Sequence, residues 1–468
     1  MPGTTASEVQ GPVSPSFPWG VWCIPALGLL LLGAHFWRNL GVWYGSPMVA
    51  LALLCLCRRA WGRLVCAVVL LGASLLWVHD AVALVTLRQS MELPWYRLAA
   101  ILGGVSMFSL LGAGLLLSPQ ARVRFSHRNE GALPQAATFF LVAGGLWLCR
   151  EKAASITPLL ADRFVPGSGL LEIALVAVYA AEVCGLLLSP TRARRTRPVI
   201  WALFSVVFFG QLALGVAGVP HMLMTGALHL PVPALIVAGP LYRGAGLFML
   251  VLFAISVLLV GPAWCSHLCY VGAWDDMLSR VGAKRRGRRA DFPAPEPLPA
   301  WTRYMRWGIA LGVFGTALGL RYAGASLFVA GVGAAAFGLA GIACMVWGSA
   351  RKGVMLHCAT VCPLGLMGNL FARFSPWRLR ITKQCTMCGA CRKVCRYNAL
   401  PDQAFEQGKP SLSCSLCRDC LGVCTHGAME LRFAGFSPRR AGAQWWGTAL
   451  FAVLVTSLHA IFLAVARM

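Results

Sequence analysis

Eight cysteines fall within 40 residues, in two runs of one spacing: Cys385, Cys388, Cys391 and Cys395 read C-x2-C-x2-C-x3-C, and Cys414, Cys417, Cys420 and Cys424 repeat it. Three thiolates so closely spaced wrap one face of an iron-sulfur cubane, and in two-cluster ferredoxins the fourth cysteine of each run crosses to the other cluster. The spacing therefore gives Cys385, Cys388, Cys391 and Cys424 to one [4Fe-4S] cluster and Cys414, Cys417, Cys420 and Cys395 to a second. Structural zinc, the alternative, shows two separated C-x2-4-C pairs without a third cysteine at x2. The proline that usually follows the fourth cysteine is replaced by Arg396 and Thr425, which alters the turn but removes no ligand atom. Regular pairing of this kind points to metal rather than disulfides, and so to a reducing compartment.

Four more cysteines form two C-x3-C pairs, Cys265 with Cys269 and Cys358 with Cys362, in GPAWCSHLCYVG and MLHCATVCPLGL. On a helix, residues i and i+4 share a face, and the two segments look like an internal repeat. Three readings stand open for them: a shared thiolate site for iron, copper or an extra cluster, a redox-active dithiol, or small-residue packing. Cys23, Cys55, Cys57, Cys66, Cys149, Cys184 and Cys344 are expected to pack.

The elements that must position these residues are written in the composition. The chain has 468 residues, 58% hydrophobic and 12% charged, where a soluble domain is about one quarter charged. Roughly 20 apolar residues cross a bilayer as a helix. Runs of that length predict eleven spans near 18–37, 41–57, 63–87, 95–117, 132–149, 168–188, 198–218, 241–263, 304–320, 325–347 and 445–464. The proline-rich stretch Val219 to Gly239 breaks the pattern and is expected to be an external or re-entrant loop. The fold class expected is an all-α polytopic membrane protein with a small α+β two-cluster ferredoxin insert before the last helix. Its regions are an N-terminal helical part, 1–230; a core with both C-x3-C pairs, 231–375; the ferredoxin segment, 376–435; and a last helix, 436–468.

A net charge of +25 on a soluble protein would suggest nucleic acid. Here Lys and Arg gather in alternate short loops, so the charge reads as the positive-inside bias and no nucleic-acid partner is expected. Arg58, Arg59 and Arg63, Arg122, Arg124 and Arg128, Arg192 to Arg197, and Lys284 to Arg289 mark the cytoplasmic loops, which puts the ferredoxin segment in the cytoplasm and the C-terminus outside. The first residues, MPGTTASEVQ, lack the basic n-region of a secretory leader.

The two C-x3-C helix ends, the stretch Arg373 to Arg380 (RFSPWRLR) and the two-cluster ferredoxin together resemble the membrane polyferredoxins of the NapH, NosR and MauN type, over about 250–465. Tyr270 stands where that family has proline. The resemblance implies a bacterial inner membrane location and electron supply to periplasmic reductases or maturation of their metal centres. Its expected partners are membrane lipid, electron donor and acceptor proteins or a quinone, and other subunits of a complex. It extends neither to the N-terminal helices nor to a flavin-binding domain.

Among the histidines only His79 lies deep in a span, so a b-type haem, which needs facing axial histidines, is not expected. His35, His221 and His229 lie near the external side and His127 in a basic loop, while His267, His357 and His426 neighbour the cysteines as solvated interface residues or donors to sulfur. Asp80 and Glu182 are carboxylates within spans, where a role or a partner is required. Arg392, Lys393, Arg396 and Arg418 surround the ferredoxin cysteines and would dock an acidic donor or simply follow the inside bias. With no nucleophile and base constellation, the chain reads as an electron carrier or oxidoreductase subunit rather than a stand-alone enzyme. The alternatives are a redox-sensing or assembly factor for a partner metalloenzyme and a redox-driven transport module.

Overall fold

The computed structural model describes residues 20–126, 129–153, 156–223, 230–287, 298–299, 301–434 and 441–465. The N-terminal leader reading, His127 and His229 lie outside these residues. Among the described residues nine helices are long and apolar enough to cross a membrane, so the all-α polytopic class holds. Two of the eleven expected spans are helices that fall short of that standard. Val42–Leu54 has only 13 residues, too few for about 30 Å of hydrocarbon at 1.5 Å per residue, and Trp301–Tyr322 carries Arg306 and Arg321. Within Val219 to Gly239 the chain forms a 3-10 turn, Pro220–Met222, and then begins a short helix, Leu235–Arg243.

The chain divides into two compact units, Met1–Ala132 and Leu133–Met468. In the first, Gly20–Leu40, Val42–Leu54, Ala60–Ser90 and Tyr96–Leu117 pack around Leu32, Ala73 and Trp77. Arg63, buried there, donates to the Leu116 carbonyl at 2.7 Å, which supplies a partner for a charge that burial alone would penalise.

The second unit holds every paired cysteine. Its ferredoxin segment is built on a two-stranded antiparallel sheet, β1 Trp377–Ile381 against β2 Met429–Phe433, with Leu379 opposite Leu431. Alternation puts Trp377, Leu379, Ile381, Met429 and Leu431 on one face. That face packs on Val260 and Ala263 at the end of the helix Phe248–Val260 and on Phe451 and Val455 of the helix Ala441–Val465. Trp377 fixes the docking: its ring meets Phe451 edge-on at 5.1 Å and its indole N–H donates to the Leu259 carbonyl at 2.7 Å. The sheet that carries the cysteine runs is thereby seated on the membrane helices.

Candidate metal centres

The two ferredoxin runs repeat in backbone as well as in sequence. Met387 and Gly389, two and four residues after Cys385, adopt φ of 56° and 73°; Leu416 and Arg418, at the same offsets from Cys414, adopt 50° and 64°. After each fourth cysteine the chain turns left-handed again, at Asn398 and Gly427. Such conformations cost non-glycine residues about 1–2 kcal/mol each. They turn each loop back on itself.

Cys385, Cys388, Cys391 and Cys424 line one pocket together with Phe405, His426 and Met429. Cys424, from the other run, completes the four cysteines of this lining. This outer pocket faces solvent: Cys388 is exposed, Met387 is 58% exposed, and Lys383 and Lys393, each two residues along the chain from one of its cysteines, are exposed.

Cys395, Cys414, Cys417 and Cys420 form an inner group. Burial pushes the Cys395, Cys414 and Cys417 thiols up to about 12. The Cys420 thiol is also pushed well up, by burial first and then by Cys417, Cys414 and Cys395 close by. Thiols this reluctant to ionise become thiolates when a metal displaces their protons. Ala399 N–H already donates to the Cys395 sulfur at 3.2 Å, the kind of bond that tunes a ligated sulfur.

Ionic contacts tie this inner group to the membrane helices. Asp419, between Cys417 and Cys420, pairs with Arg197 at 2.9 Å, and Arg197 reaches Asp276 at 3.4 Å, which Arg280 holds at 2.6 Å. Arg197, Asp276 and Asp419 are all buried. The sequence reading counted Arg197 as loop charge, but the helix Pro190–Val216 begins seven residues earlier and carries it inward. The adjacent acids of GAWDDMLSR, in an otherwise basic stretch, were the available signal. Arg418 is only 2% exposed, donates to the Leu187 carbonyl at 3.2 Å and lies 4.7 Å from the Phe451 ring centre. It cannot dock a soluble donor. Arg396 is half-buried on the Gly353 carbonyl and Arg392 pairs with Asp402, leaving Lys393 as the freely exposed cation of the four.

The four cysteines of the C-x3-C pairs also meet. Cys265, Cys269, Cys358 and Cys362 line one pocket with Trp264, Arg306, Asn369, Tyr397, Ser413 and Ser415. They do not share an α-helical face, as i, i+4 spacing suggested. Cys265 lies in the short helix Trp264–His267, and Cys269 follows after that helix has ended. Cys358 sits in a π-helical turn, His357–Val361, and Cys362 caps the helix Pro363–Phe371, its sulfur accepting from Gly365 N–H at 3.4 Å. Pro363 is the first residue of that helix, whereas Tyr270, at the matching place, stacks on Phe208 at 3.9 Å. Asp275, fully buried, accepts from the Cys358 N–H at 2.9 Å, and burial pushes its carboxyl up to about 6.

The histidines separate. His426 is exposed on the rim of the outer pocket. His267 and His357 are buried rather than solvated; His267 contacts Ser266 Oγ at 3.0 Å, and His459, unmarked by any motif, contacts the His267 carbonyl and the Tyr179 hydroxyl at 3.0 Å each. Asp80 has imidazole neighbours, His35 at 3.4 Å and His79 at 3.2 Å. Glu182 lies within the helix Gly169–Leu187. Of the remaining cysteines, Cys55, Cys66 and Cys184 are buried, and Cys57 and Cys149 exposed.

A family model described as a 4Fe-4S binding domain matches the chain twice, at 242–289 and 334–382. The chain is similar to 4Fe-4S membrane proteins. Each matched segment contains one C-x3-C pair, and the second ends before Cys385, so the internal repeat read from the sequence is the unit of this likeness. An uncharacterized protein of Methanocaldococcus jannaschii is 32% identical over 84 residues, 18% of this chain and 32% of its own. YccM of Escherichia coli, whose name proposes electron transport, is 23% identical over 222 residues, 45% of this chain and 58% of its own. The chain thus covers less than two thirds of either relative. No solved structure matches.

Proposed function

We propose that this chain carries electrons at a membrane by means of iron-sulfur clusters, with Cys385, Cys388, Cys391 and Cys424 holding one [4Fe-4S] cluster and Cys414, Cys417, Cys420 and Cys395 a second. The observation that carries this reading is the gathering of two interleaved cysteine runs into an outer pocket and a buried inner group by matched left-handed turns. Bound clusters supply one-electron chemistry. The chain's own residues supply the rest: exposed Met387 and Cys388 bring the outer pocket to the surface, while Leu416 and Trp201 exclude water from the inner one. The name of the bacterial relative and the 4Fe-4S family match support electron transport as the use of this arrangement.

The ferredoxin segment faces the cytoplasm in this reading, on the strength of the loop charges, and the membrane is the bacterial inner membrane. Lys383 and Lys393 beside the outer pocket fit an acidic one-electron carrier as donor, and a quinone or an external redox protein is the acceptor. Reduction of the clusters by a reduced acidic ferredoxin, followed by stopped-flow spectroscopy at low salt, tests the donor side. Charge reversal at Lys383 and Lys393 is expected to slow the bimolecular rate by about tenfold and to flatten its salt dependence, leaving the paramagnetic signals unchanged. An unaltered rate and salt dependence would remove the acidic donor.

A further inference from the structure

We propose that Cys265, Cys269, Cys358 and Cys362 together hold a third iron-sulfur cluster, placed between the inner cysteine group and the membrane helices. This rests on the reading of the chain as an iron-sulfur electron carrier and adds a centre to it. The first ground is convergence: two pairs some ninety positions apart, one from each copy of the repeat, line the same pocket. Packing needs small apolar side chains there, not four thiols and a charge.

The second ground is that charge. Arg306 lines the pocket at 6% exposure, and its Nε has no hydrogen-bond partner in the protein. A buried cation left without compensation costs several kcal/mol. A cluster bound by four thiolates carries net negative charge and answers it. A Cβ at Gly365 would lie 2.9 Å from Arg306 Nη2, so the glycine leaves that guanidinium its place in the pocket.

The third ground is the donor set: the described residues lining the pocket include four cysteines and no histidine or carboxylate, the four-thiolate set that holds a [4Fe-4S] cluster. On ligation each thiol gives up its proton to solvent or to a base, and the sulfur bonds iron. The location also suits a relay: Ser413 and Ser415 flank Cys414, Tyr397 follows Cys395 by two residues, and the Tyr397 hydroxyl donates to the Cys265 carbonyl at 3.3 Å, so this pocket and the inner group share a wall.

The test is iron and acid-labile sulfide per chain, with reductive EPR, on full-length protein purified without oxygen. The variants are Cys358→Ser with Cys362→Ser, and Cys265→Ala with Cys269→Ala. About twelve irons are expected in the parent, falling by about one third in either variant while the two ferredoxin-type signals persist. About eight irons in the parent, unchanged in the variants, would overturn the third cluster and leave the proposed function standing. Zinc without iron in the parent would remove both. Should a variant fail to accumulate, the parent's count decides.

Discussion

Two cysteine runs with one spacing come to rest in opposite surroundings, and single residues make the difference. Cys388 reaches solvent; Cys417 and Cys420 lie beside Arg418, whose guanidinium is sealed between the Leu187 carbonyl and the Phe451 ring. A buried cation near a centre that gains negative charge on reduction stabilises the reduced form. Replacing Arg418 with Gln is therefore expected to shift the inner centre to more negative potential, by on the order of 60 mV, the one-electron equivalent of a tenfold change in equilibrium. An EPR-monitored redox titration reads both centres, and the outer one should stay where it was. Equal shifts in both would mean that Arg418 acts through the fold. Sequence alone ranked Arg392, Lys393, Arg396 and Arg418 together, because spacing along the chain does not say which side of a loop is buried. That Cys385, Cys388 and Cys391 lie together was legible, since three thiols at x2 leave the loop few ways to fold.

At the scale of elements, the ferredoxin segment depends on two attachments to the membrane helices. One is apolar, Trp377 against Phe451 and Leu259; the other is ionic, Asp419 and Asp276 against Arg197 and Arg280. Replacing Trp377 with Ala should cost about 3–5 kcal/mol and loosen the sheet, visible as faster amide exchange over β1 and β2 with the helices unaffected. Removing Arg197 by substitution with Met leaves Asp419 and Asp276 with Arg280 alone, a loss of about 3–5 kcal/mol for a broken buried pair. Thermal unfolding in detergent should show it, and a midpoint within a degree of the parent's would contradict the ionic attachment. The first attachment was partly foreseeable in the alternation of WRLRI and MELRF. The second was not, because Pro190 starts a helix where the charge pattern suggested a loop, and the helix carries Arg197 into the interior.

Over the whole molecule, hydropathy revealed the membrane class and placed most helices to within a few residues. Val42–Leu54 and Trp301–Tyr322 are helices where spans were expected, the first shorter and the second more charged than the nine long apolar ones, since apolar character along a sequence does not report length of regular helix or the purpose of a charge such as Arg306. The C-x3-C cysteines were legible as a repeat, but their meeting depends on a helix end and a π-helical turn that spacing does not encode. Sidedness rests on loop charge, so a reporter fused after Ser279 should behave as cytoplasmic and one after Gly167 as external; the same side for both would reverse the placement of the cysteine segment. The central claim, that these cysteines hold iron-sulfur clusters, is met most directly by EPR of the dithionite-reduced protein purified without oxygen. The account predicts at least two magnetically interacting signals, with about eight irons or more per chain and matching sulfide. A chain loaded with stoichiometric zinc, silent in EPR and free of labile sulfide, would contradict it.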